Sequence, residues 1–95
     1  MAAMKMPLAP DARPRLPRGV RLRQDPRRGW LLLAPETVFE ANGSAAEILK
    51  LCDGGLTFAE MVDVLATRHG GDRARITGEA GGLLTALRDR RLLDL

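Results

Sequence analysis

Residues 29–55 read "GWLLLAPETVFEANGSAAEILKLCDGG", and the spacing of the apolar positions changes partway through the stretch. "WLLLA" (30–34) is apolar at every position, as a central strand covered on both faces requires. "APET" (34–37) sets Pro35 at the second position of a tight turn, and "TVFEA" (37–41) follows as another short strand. After "NGS" (42–44) the period turns helical. Ala45, Ile48, Leu49 and Cys52 fall at i, i+3, i+4 and i+7 and make one apolar stripe. Ser44 with Glu47 has the S-x-x-E form of a capping box, which predicts a helix start at Ser44. Gly54 and Gly55 stop the helix, because glycine readily takes the left-handed cap conformation. A sheet therefore hands over to a helical half near Asn42.

Toward the N-terminus, "RGVRLRQD" (18–25) alternates Val20 and Leu22 with Arg21 and Arg23, as on a strand with one buried face. "DPRRG" (25–29) supplies the turn, so the three strands form an antiparallel meander. Residues 7–17 carry Pro7, Pro10, Pro14 and Pro17, which favour extended backbone over helix. Residues 1–16 are expected to form a flexible arm that orders on a partner or a neighbouring subunit, with 17–95 as the single domain. Toward the C-terminus, Thr57 and Glu60 form a second capping box. Phe58, Met61, Val62, Leu65 and Ala66 keep helical spacing until "HGGD" (69–72). A third helix is evident in "LLTALRDRRLL" (83–93), with Ala80, Leu83, Leu84 and Leu87 on one face. Gly81 and Gly82 each cost roughly 1 kcal/mol relative to alanine inside a helix. Either that helix starts late or another element packs very close to it. The order βββααα places the chain among α+β folds with a winged-helix-like layout.

Ninety-five residues, 45% of them hydrophobic, can bury one core but hardly a deep substrate cavity as well. One cysteine and one histidine exclude a disulfide framework and a Cys/His zinc cage. The start lacks the apolar run of a signal peptide and no stretch reaches transmembrane length, so a soluble, cytoplasmic protein is expected. The net charge of +3 is unevenly spread: residues 1–28 hold eight basic side chains against Asp11 and Asp25, and residues 29–95 hold seven against ten acidic ones. Such a front end suits nucleic acid, a membrane surface or an acidic polypeptide, or serves only for solubility.

Cys52 continues an apolar stripe, where burial raises a thiol's pKa rather than activating it. Asp53 suits a turn-capping role, His69 a helix-end role beside the dipole, and Trp30 a core anchor at the head of the central strand. No glycine-rich phosphate loop follows a strand, and no inward pair of carboxylates serves acid/base work. No catalytic residue and no metal site are expected. A helix-turn-helix at 44–69 beside a small sheet also fits a winged-helix DNA-binding regulator using the basic segment. Its second helix, however, shows Glu60 and Asp63 to the phosphates.

"RGVRLRQDPRRGWLLLAPE" followed by "AAEILKLCDGGLTFAEMVDVLA" resembles the pyrroloquinoline quinone (PQQ) biosynthesis protein D family, from about Pro14 to Leu95. The resemblance departs at Glu79–Ala80, where the family often has Asp-Val, and at Gly81–Gly82. It implies a peptide chaperone of the type called a RiPP precursor peptide recognition element. Such a protein presents the ribosomally made precursor to a radical S-adenosylmethionine enzyme that crosslinks a glutamate and a tyrosine. The iron–sulfur clusters and S-adenosylmethionine would belong to that partner, PQQ being the pathway product, and this chain is expected to bind no cofactor.

A meander leaves its first and third strands as open edges, to which a peptide can add as a fourth strand. The first is flanked by prolines and carries Arg21 and Arg23. The third, Thr37–Ala41, is the expected docking edge, through Val38, Phe39, Glu40 and Ala41. A groove against the third helix would be lined by Val38, Phe39, Leu83, Leu84 and Leu87, with Arg88 and Arg91 meeting peptide carboxylates. Arg18, Arg21, Arg23 and Arg28 are expected to face the partner enzyme. The arm and the edge allow a monomer or an exchanged dimer.

Overall fold

In a computed structural model, which describes residues 8–95, the two hairpin turns set the register of the sheet. β1 (Arg21–Asp25), β2 (Gly29–Ala34) and β3 (Thr37–Ala41) pair antiparallel in the order β1-β2-β3. In the first turn, one Asp25 carboxylate oxygen accepts the N–H groups of Arg27 and Arg28 at 2.8 and 2.9 Å, and Gly29 supplies a φ of 83°. The second turn uses Pro35 and Glu36. Pairing sets Leu32 opposite both Leu22 and Phe39, on the face that packs on the helices. Leu33 lies between Arg21 and Val38, and Leu31 between Arg23 and Glu40, on the opposite face.

α1 (Gly43–Lys50) packs across all three strands. Its N-cap is Asn42, whose side chain accepts from the Ala45 N–H at 2.8 Å. The box expected at Ser44 does not form, because the helix begins one residue earlier and Glu47 is drawn to the end of α2. Cys52 lies two residues beyond the helix rather than on it, yet is 4% exposed, with its thiol donating to the Ile48 carbonyl at 3.4 Å. Asp53 accepts from the Gly55 N–H at 2.8 Å and Gly54 takes a φ of 80°, so this stretch is the corner between α1 and α2.

α2 (Phe58–His69) carries the Thr57–Glu60 capping box and ends at left-handed Gly70. α3 (Arg73–Asp89) packs on α2 and runs uninterrupted through Gly78, Gly81 and Gly82. It therefore starts early, at an Asp72 cap that accepts from the Ala74 N–H. Another element also packs close: a Cβ at Gly81 would stand 3.6 Å from the Phe58 ring. The core lies between sheet and helices, centred on Leu32, Leu49, Met61, Leu84 and Leu87, none more than 2% exposed. Trp30 packs on its margin, with the Lys50 ammonium 4.2 Å from the ring centroid.

The expectation of an arm over residues 1–16 is corrected for the described part. Residues 8–16 lie on their own domain; residues 1–7 fall outside the described residues. The Phe58 and Ala59 N–H groups, which no turn of α2 can satisfy, donate to the carbonyls of Ala12 and Pro10 at 2.7 and 3.0 Å. Gly54 donates to Pro14, and Arg15 exchanges two backbone hydrogen bonds of 2.9 Å with Asp94. Leu8 and Pro14 are buried. The prolines keep this segment extended, and the extended backbone is what lets it cap α2 and pair with the C-terminus.

Candidate functional site

β3 is an edge of the sheet, and every second residue along such an edge turns its N–H and C=O away from the ladder. Phe39, on the inner face, is half-buried against the core. Arg90, the C-cap of α3, reaches it: the guanidinium carbon stands 5.7 Å from the ring centroid. The end of α3 and the middle of β3 are therefore neighbours. Ile76, Ala80, Leu83, Leu87 and Arg90 recur at spacings of four and three and so share one face of α3. At its N-terminal end this face, with Ile48 and Leu65, lines an open cavity of about 260 Å³ whose rim includes Glu47, His69, Asp72, Arg75 and Glu79.

The expected groove is thus only partly assembled. Val38 and Phe39 alternate across the strand, so they cannot line one groove. Val38 points to the outer face and is 50% exposed. Leu84 and Leu87 are fully buried and support the site from beneath, while Leu83 is partly buried against the core. Ala41 is buried at the end of β3. Glu40 faces outward and binds Arg28 at 2.6 Å. Arg88 lies 3.3 Å from Asp89, and Arg91 is exposed just past the helix. Arg90 and Ile76 were missed, and Ala80 was placed on the face but not in the groove. The same three-and-four spacing that selected Leu83 and Leu87 leads to Arg90 and Ile76.

Among the residues expected to meet a partner enzyme, Arg21 and Arg23 lie together on the outer face, and Arg18 is exposed in the turn before β1. Arg28 is occupied by Glu40, whose hydrogen bond raises its pKa. Burial pushes the Cys52 thiol up to about 12, with Asp53 adding to the shift, so the thiol is neutral near pH 7. The Glu47 carboxyl is held below its ordinary value, first by its hydrogen bond to His69 (2.7 Å) and then by Arg68. No helix among the described residues is long and apolar enough to cross a membrane.

Comparison with known proteins agrees with this fold. The model of the family described as coenzyme PQQ synthesis protein D (PqqD) matches residues 29–93. The chain is 39% identical over 94 residues to a PqqA binding protein of Rhodopseudomonas palustris strain HaA2, covering 98% of this chain and 92% of the relative. It superposes with a TM-score of 0.76, at 40% identity, on the solution NMR structure of the PqqD truncation of Methylobacterium extorquens PqqCD. That match covers 86% of this chain and 88% of the other, which is described as a functional, stand-alone RiPP recognition element. A lasso peptide synthetase B1 solved with its leader peptide shares the fold, with a TM-score of 0.75 at 21% identity, over 88% of this chain and all of that one.

Proposed function

The chain belongs to the coenzyme PQQ synthesis protein D family, and from that premise we propose that it is the peptide chaperone of PQQ biosynthesis. In this reading it binds the ribosomally made precursor peptide along β3 and presents it to a radical S-adenosylmethionine enzyme for glutamate–tyrosine crosslinking. The observation that carries the reading is the open β3 edge beside one face of α3, joined by Arg90 over Phe39. Backbone groups of the edge give affinity that ignores sequence. Phe39, Leu83 and the cavity beyond Ile76 give side-chain selectivity. Arg88, Arg90 and Arg91 form a basic end to the groove, suited to carboxylates of the peptide.

The chain acts in the cytoplasm and performs no chemistry itself. The partner supplies the iron–sulfur clusters and S-adenosylmethionine, and no cofactor is held here. Residues 8–16 fill their site on their own domain. Calorimetry with the precursor peptide, with and without the partner enzyme, tests the binding. In NMR titration the shifts should cluster on Thr37–Ala41 and on the α3 face from Ile76 to Arg90. Shifts confined to β1 and residues 8–16 would overturn the proposed site.

A further inference from the structure

The outer face of the sheet is left free by a peptide on the β3 edge. It carries two cross-strand rows, Arg21–Leu33–Val38 and Arg23–Leu31–Glu40. On this face Leu31 is buried at 6% exposure, Leu33 is partly buried and Val38 is 50% exposed. The paired Leu33 and Val38 thus give β2 and β3 a small accessible aliphatic patch on the side facing away from the helices. The carboxylates of this face are already engaged: Glu40 with Arg28 at 2.6 Å, and Asp25 with the backbone of its own turn. Arg21 and Arg23 join none of the ion pairs found among the described residues. Arg21, Arg23 and Arg28 stand against Asp25 and Glu40, so the net charge of the face is positive.

Aliphatic residues flanked by arginines have the composition of a protein interface. Trp30 and Phe39 both lie on the inner face, so the described residues offer no ring here on which a nucleobase could stack. We infer that the outer face of the sheet docks an acidic protein surface with an apolar centre, on the enzyme that receives the peptide. This rests on the function proposed above. β3 then serves both partners, its edge holding the peptide and its outer face bordering the enzyme, so the bound strand lies at the rim of the docked surface.

The test is the double variant Arg21→Glu/Arg23→Glu, with unchanged thermal melting as the check on folding. Its probes are the purified radical enzyme, the precursor peptide and a short random-sequence DNA duplex. Affinity for the enzyme should fall by about tenfold or more, because like charges then face each other, while peptide affinity stays within about twofold. Undiminished enzyme binding with intact peptide binding would sink this inference and leave the chaperone reading standing. A wild-type chain that binds no peptide would remove both. Charge reversal that abolishes DNA binding but spares the enzyme would reassign the face to nucleic acid.

Discussion

Arg91 has a φ of 62°, in the left-handed region where glycine is at ease and a branched backbone substituent is not. It follows the C-cap of α3, where its N–H donates to Arg88 and the N–H of Leu92 donates to Leu87. This is the hydrogen-bond pattern of a glycine-terminated helix, carried by an arginine. The turn is held because Leu92 and Leu93, 4% and 3% exposed, are anchored in the core beyond it. Arg91→Gly should therefore stabilise the domain by about 0.5–1 kcal/mol, after the extra freedom of glycine in the unfolded chain is set against the relieved strain. Urea titration with an unchanged m-value would read it; a loss of stability would mean that the arginine side chain contributes more than its backbone costs. "RDRRLL" gives no warning of this, since an arginine in a left-handed turn leaves no compositional mark. At Cys52 the burial that the apolar stripe implies is present, although the residue lies past the end of α1.

Elements are joined by side chains whose spacing in the sequence says little. Glu47 ties α1 to the last turn of α2 through His69 and Arg68. Its carboxyl titrates below the ordinary value of 4.5, chiefly through the His69 hydrogen bond. The unfolded chain then takes up the proton first. Stability from this tie is full above about pH 4.5 and is lost as the pH falls through the folded value. Across roughly pH 5 to 3 the wild-type chain should lose stability more steeply than Glu47→Gln, the two curves converging at the acid end. Chemical denaturation at a series of pH values would show it, and parallel curves would mean that the tie contributes nothing. In the sequence, Glu47 reads as half of a capping box with Ser44, and only the fold shows that Asn42 has taken the cap. The strands were legible because turns announce themselves in proline, glycine and aspartate. The first half of α3 was not, since Arg73–Gly78 has little apolar content besides Ile76. As for the site, alternation along β3 was available from the sequence and already separates Val38 from Phe39. That the third strand lies beside the third helix was expected too; that Arg90, rather than Arg88 or Arg91, reaches Phe39 was not, because their contact spans the whole helical half of the chain.

At the scale of the molecule, the described N-terminal segment is part of the packing. It satisfies the first donors of α2 and brings Leu8 into the core. A chain beginning at Pro14 loses the Pro10 and Ala12 acceptors and the Leu8 side chain. About 3 kcal/mol of stability should go with them, from two hydrogen bonds of about 1 kcal/mol each and the burial of one leucine. Hydrogen exchange should quicken first at the Phe58 and Ala59 amides, and unaltered protection there would show that the segment caps nothing. The reciprocal pair between Arg15 and Asp94 has a different kind of consequence. It closes residues 15–94 into a ring in everything but covalent bond, beginning and ending at one corner beside the turn at Asp53–Gly54.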